Sequence, residues 1–552
     1  MGSSQTWQDR ARDKRERLAA AIPEDWRIKA LPTSDSVIDY ARSSGLLSAD
    51  ELKMTEATAA SLVADMAAGR LKSVDVVLAF CKRAALAQQL TNCLLEYDPE
   101  SALAQAKALD EYYSNHGKPV GELHGLPISL KDQLHVKGLE TSMGYVAWLD
   151  ARATQDSVLA ALLRRAGAVF YAKTSVPQTL MVGETFNNIV GLTTNPYNRK
   201  LSPGGSSGGE GALLATRGSV LGVGTDIGGS IRLPAAFNGL YGIRPSHGRM
   251  PYADMANSMA GQETVHSVVG PLAHSAGDLR LFMKAVLGQK PWLHDSKTIP
   301  MPWRQDEEDE AKRRIKEKKL NIAYYNFDGM ALPHPPILRA IQSAVDALKA
   351  AGHNVIPWKP YKHDVAMEML NKVYNADGGV DLRRDISASG EPAIDLITNI
   401  VRPDARALDV NQVWDLQARK WAYQNAYLAH WRDAEAALGA AAAEIDAIVA
   451  PVAPSAAVRH STFRYYGYTA VVNLLDLTSV VVPVGFADQA VDVANTAGFD
   501  PVSELDRQVQ AEYDAAAYHG APTAVQVMGR RLSEEKTLAV AEELGRLLRG
   551  GE

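Results

Sequence analysis

Residues 202–232 read SPGGSSGGEGALLATRGSVLGVGTDIGGSIR, and ten of the chain's 42 glycines fall in the 26 residues from Gly204 to Gly229. Glycine loses more backbone freedom on folding than any other residue. Such density is therefore expected where the backbone must turn unusually or approach a ligand closely. Three chemistries compete for the stretch. A phosphate cradle would need G-x-x-x-x-G-K-[ST] or G-x-G-x-x-G, and the cluster contains neither. A nucleophile elbow, G-x-S-x-G, can be centred on Ser206 or on Ser207, but it also needs a later acid and a histidine. In the third, Ile227-Gly228-Gly229-Ser230 presents successive backbone N–H groups to an oxyanion. Ser230 would then be the nucleophile at the start of a helix, IRLPAAF, whose dipole favours negative charge.

The flanking sequence gives the fold class. His124 to Lys131 reads as a turn feeding a short buried strand, Asp156 to Ala166 as a helix, and Ala168 to Ala172 as a strand. This β–α–β alternation argues for an α/β fold. Upstream, charged helix is expected over 6–21 with a solvated Arg/Lys face, then helices near 58–69 and 74–89, the last capped by Ser73. Residues 303–319 are dense in charge and read as an exposed helix or connector. Ala-rich 434–444 reads as helix, Ile445 to Ala450 as strand, 486–512 as a surface excursion, and the last helix is expected after a Ser533 cap.

Length and composition bound the rest. The 552 residues would make three to four domains at roughly 150 residues each. With 46% hydrophobic and 22% charged residues the chain is neither disordered nor coiled coil. A net charge of −6 gives no reason to expect nucleic acid. Cys81 and Cys93 form no C-x-x-C, so no disulfide framework and no metal site is expected; both should be small core residues. The most apolar stretch, Tyr468 to Ala487, carries Asn473, Asp476 and Pro483, which suits a buried helix and strand better than a bilayer span. Gly2 and Thr6 fit the M-G-x-x-x-[ST] acylation pattern, but one chain anchors only marginally. No membrane partner, a cytoplasmic location and a homodimer as candidate assembly are the working expectations.

The stretch from Gly204 to Ser246, ending in RLPAAFNGLYGIRPS, resembles the signature sequence of the amidase signature enzymes, and GELHGLPISLKDQ at 121–133 resembles their lysine motif. WQDRARDKRERLAAAIPEDW, DISASGEPA and YHGAPTAVQVMGRRLSEE extend the likeness along the chain to the fungal acetamidase branch. The resemblance implies one large α/β domain over 1–552, built on a mixed, mostly parallel twisted sheet covered by helices. Residues 1–70 would be a helical extension packed on it, and 300–320 a charged surface connector. It implies a Ser–Ser–Lys triad of Lys131, Ser206 and Ser230, with an oxyanion hole at Ile227, Gly228, Gly229 and Ser230. It further implies a cis peptide bond before Ser206 and an acyl-pocket wall at Leu180 and Met181.

Ser207, Thr225, Asp226 and Arg232 read as site architecture, the last two as a charge pair fixing a loop, and Gln526 as a core hydrogen-bonding group. The expected reaction turns a carboxylic amide and water into acid and ammonia, with no cofactor and a small-molecule substrate. Small aliphatic amides such as acetamide come first. The alternatives are fatty-acid or aryl-acetic amides on the same triad, or an inactive scaffold like an amidotransferase subunit. No histidine is needed if Lys131 is neutral. Its place at the end of an apolar run, Leu126 to Leu130, is consistent with the burial that would lower its pKa.

Overall fold

The computed structural model describes residues 5–439, 444–494 and 499–550. Eleven strands form one sheet: β1 Leu94–Tyr97, β2 Pro127–Lys131, β3 Val169–Thr174, β4 Leu221–Asp226, β5 Tyr241–Arg244, β6 Val268–Ala273, β7 Asn321–Tyr324, β8 Asn354–Pro357, β9 Ala447–Pro451, β10 Ser479–Phe486 and β11 Pro522–Met528. Their spatial order is β1-β3-β2-β4-β6-β5-β10-β11-β9-β7-β8. The sheet is mixed. Parallel pairing runs through β3–β2–β4 and through β9–β7–β8, and antiparallel pairs join these blocks and edge the sheet at β1. Strands β2, β3, β4 and β6 are buried along their whole length, as a sheet covered by helices on both faces requires.

The helices that matter here are α1 Trp7–Ala20, α2 Ser73–Thr91, α3 Gly208–Ala215, α4 Arg232–Phe237, α5 His363–Tyr374, α6 Val410–Ala436, α7 Gly467–Leu475 and α8 Glu534–Leu548. The glycines let α3 lie almost on the sheet. A Cβ on Gly209 would meet the backbone of Ser175 at 2.4 Å, and one on Gly222 would meet the Glu210 carboxylate at 2.0 Å. Close backbone approach, more than turning, is what these positions require.

Several local expectations shift. The first turn of α2 is capped by the Asp110 carboxylate, which accepts the N–H groups of Ser73 and Val74 at 2.7 and 3.0 Å, so Ser73 is the first helical residue rather than its cap. The Ser533 hydroxyl donates to Arg530 O at 2.7 Å and caps no helix N–H. Helix α1 starts with a Thr6–Asp9 capping box, but its basic residues are not simply solvated. Lys14 is buried between Glu96 and Glu140, and Arg17 reaches Glu140 at 3.0 Å. These pairs tie α1 to the sheet edge.

Tyr468 to Ala487 divides into α7 and β10. Among the described residues no helix is long and apolar enough to cross a membrane. Residues 303–319 hold a helix, Gln305–Lys316, with Glu308 and Ala311 buried, and 486–512 includes Glu504–Ala511. The expected helix at 434–444 ends at Ala436; its last residues, 440–443, and Gly2 lie outside the described residues. Both cysteines are buried in the core.

Candidate active site

Three adjacent strand and helix ends converge at one point. Strand β2 delivers Lys131 at its carboxyl end, fully buried. The segment before α3 brings Ser206 and Ser207, and the Gly205–Ser206 peptide bond is cis. Strand β4 ends at Asp226, and the turn to α4 carries Ile227 to Ser230.

Lys131 Nζ lies 2.7 Å from Ser206 Oγ and 2.8 Å from Thr225 Oγ1. Burial pushes the Lys131 ammonium down to about 7, against the pull of Asp226, Glu210 and Asp132, which favour its charged form. Glu210 is itself buried. Burial raises its carboxyl to about 8, although Ser129 and Thr174 hydroxyls hydrogen-bond to it. A carboxyl that gives up charge is a weak counter-ion, which helps keep Lys131 neutral.

Ser206 and Ser230 line one cavity together with Thr225, Ile227, Leu180 and Met181. Ser230 is 9% exposed. Among the described residues no hydrogen bond joins the Ser206 and Ser230 hydroxyls. Their segments are linked instead by Ser207 N–H donating to Ser230 O at 3.2 Å. The Ser207 hydroxyl sits 3.4 Å from both the N and O of Thr225, so it bridges to β4 and does not cap α3.

The loop before Ser230 is held by a buried charge pair. The Asp226 carboxylate accepts Arg232 Nε and Nη2 at 3.0 Å each, Gly229 N–H at 2.9 Å, Ile231 N–H at 3.2 Å and Asn473 Nδ2 at 2.9 Å. Burial alone would raise this carboxyl; the Arg232 guanidinium prevails and holds it at about 2. Arg232 also donates to Asn473 Oδ1, Thr469 O and Gln526 Oε1. Gln526 completes the core by donating to Pro451 O and Tyr468 O.

Gly229 departs from the expected oxyanion donor set, because its N–H is bonded to Asp226. Among the described residues the N–H groups of Ile227, Gly228 and Ser230 have no protein partner. The Tyr374 hydroxyl donates to Ile227 O at 2.6 Å, and Thr469 Oγ1 to Gly228 O at 2.7 Å. In a trans peptide C=O and N–H point oppositely. Tyr374, by holding Ile227 O, therefore fixes the direction of Gly228 N–H. Gly229 takes φ +132°, and a Cβ there would lie 2.3 Å from Thr469 Oγ1, so only glycine fits. Sequence reasoning missed Tyr374, Thr469, Asn473 and Gln133. The first three reach the loop from α5 and α7 with no local motif to mark them; Gln133 closes the lysine motif just after β2 and meets Thr225, a contact the motif does not show.

The described residues contain no group of His, Cys, Asp and Glu arranged to hold a metal ion. A buried amine, two hydroxyls and the unpaired amides of Ile227, Gly228 and Ser230 suit acyl transfer. Against known proteins, the amidase family model matches residues 75–538. The chain belongs to the amidase family. It is an amide hydrolase. This amidase is 64% identical over 544 residues to an acetamidase of Emericella nidulans, across 99% of this chain and 98% of that one. An acetamidase of Aspergillus oryzae is 60% identical over 545 residues, with 99% of both chains covered. A solved fatty acid amide hydrolase superposes with a TM-score of 0.91 at 36% identity, covering 98% of this amidase and 94% of that chain.

Proposed function

We propose that this amidase hydrolyses small aliphatic primary amides such as acetamide, with Ser230 as nucleophile, Ser206 as proton relay and Lys131 as base. The observation that carries the mechanism is the buried Lys131 amine 2.7 Å from Ser206, in the cavity wall that also holds Ser230. Neutral Lys131 takes the Ser206 proton while Ser206 takes that of Ser230. Ser230 Oγ then bonds to the amide carbon, and the carbonyl electrons move onto oxygen. The N–H groups of Ile227, Gly228 and Ser230 receive that oxyanion. The relay returns the proton to nitrogen, the C–N bond breaks, and ammonia leaves. Water adds to the acyl-enzyme by the same route and releases the acid. Every step uses side chains, backbone and water.

Two observations support the small substrate. The cavity beside Ser230 holds about 290 Å³, the low end for small-molecule sites, and Leu180, Met181 and Ile227 line it. Two relatives that this chain matches from end to end are acetamidases. A panel from acetamide to long-chain and aryl-acetic amides tests this. The expected result is kcat/KM highest for two- to four-carbon amides. A preference for long-chain or aryl-acetic amides would move the reading to that alternative.

A pH dependence follows from the base. Lys131 accepts a proton only when neutral, so acylation should be slow below pH 6 and rise through an apparent pKa near 7 to a plateau. Single-turnover rates at saturating amide measure this. A flat profile between pH 5 and 9 would exclude a titrating lysine.

A further inference from the structure

A neutral lysine has two N–H donors and one lone pair, and it acts as a base only if the lone pair faces Ser206. Thr225 could prevent this. Its hydroxyl lies 2.8 Å from Lys131 Nζ and could either accept a Lys131 N–H or donate its own proton to the lone pair. The choice is made one residue further out. Thr225 Oγ1 is 2.5 Å from Gln133 Oε1, and Gln133 is fully buried. The other end of that amide donates at 3.0 Å to Ala256 O, which can only accept, and at 3.0 Å to the Tyr252 hydroxyl, which itself donates to Ser267. Ala256 O therefore fixes which end of Gln133 is the NH2 and which the oxygen. The oxygen takes the Thr225 proton, and Thr225 must then accept from Lys131.

We infer that Gln133 is a positioning residue for the base: through Thr225 it holds one Lys131 N–H and keeps the Lys131 lone pair turned toward Ser206. This rests on the reading of Lys131 as the base. The titratable groups that act on Lys131 are Asp226 at the end of β4, Glu210 on α3 and the neighbouring Asp132, and the substitutions below leave them in place. Tyr252 is held neutral, its phenol pushed by burial up to about 12.

The test is a double-mutant cycle read by single-turnover acylation across pH. In Gln133→Leu the Thr225 proton has lost its acceptor and turns onto the Lys131 lone pair. The plateau rate should fall roughly tenfold or more. The rising limb should move to lower pH by about one unit, because a hydrogen bond to the neutral amine favours the neutral form. Adding Thr225→Val removes the blocking proton. The double variant should therefore be several-fold faster than Gln133→Leu alone, a coupling that additive packing losses would not give. Gln133→Met, closer in length, replaces Gln133→Leu if the latter does not fold. Additive losses, or a lower plateau with the limb unmoved, would overturn the inference. Lys131→Met separates this failure from that of the base itself. If that variant keeps the wild-type rate and limb, the reading of Lys131 is wrong. If it loses both while the cycle is additive, only the role of Gln133 is wrong.

Discussion

Ser230→Ala is expected to leave a folded protein and to lower acetamide turnover on the order of 10⁴-fold or more. The substitution removes one oxygen from a side chain at the cavity wall. The Ser230 backbone carbonyl, which accepts Ser207 N–H, is kept. The Asp226–Arg232 pair that shapes the loop is untouched. What remains is a cavity with its amides in place and no atom to form the acyl bond. Circular dichroism and thermal melting should match the parent, and no burst of ammonia should precede steady turnover. A variant retaining more than a few per cent of activity would show that another group attacks the amide.

Lys131→Met should be nearly as damaging to catalysis and should not harm the fold. Methionine fills much the same volume without a charge to desolvate. The acylation rate should fall on the order of 10²–10⁴-fold. The rising limb near pH 7 should disappear, because the group that titrates there is gone. The melting temperature should hold or rise. Burial drives Lys131 to give up its proton in the folded chain at about pH 7, whereas an unfolded lysine keeps it to about pH 10.4. Between those values the unfolded chain binds more protons. Lys131 therefore disfavours the folded state, most strongly at the acid end of that window, and stability rises with pH across it. The methionine variant should be flatter in stability over this range. Loss of activity with a markedly lowered melting temperature would instead mark Lys131 as structural.

The contrast between local and distant residues explains what could be read from the sequence. Residues that act through the backbone were legible because glycine density has few other causes: Gly209 and Gly222 permit close packing of α3, and Gly229 adopts a conformation with no room for a Cβ. Lys131 was legible through its likeness to the family's lysine motif, and its strand is buried throughout, as the apolar run Leu126 to Leu130 suggested. The family likeness then supplied Ser206 and the pairing of Leu180 and Met181 with the cavity.

The residues that hold this machinery in place were not legible. Tyr374 lies 147 residues from Ile227, and Asn473 lies 247 from Asp226. Each is an ordinary helix residue in sequence and becomes specific only when the chain folds back. The same holds at the sheet edge, where Lys14 on a charged helix turned out to be buried between two glutamates. Gln133 stands two residues after Lys131, yet nothing in the motif says that its amide oxygen points at Thr225.

On the proposed mechanism Ser230 Oγ forms the acyl bond, and the two serines before α3 do not. Treating the folded protein with a fluorophosphonate and mapping the modified peptide by mass spectrometry tests it directly. The predicted result is stoichiometric modification of Ser230, slowed in Lys131→Met and absent in Ser230→Ala. Modification of Ser206 or Ser207 with Ser230 untouched would contradict it and restore the nucleophile-elbow reading of the same glycine-rich stretch.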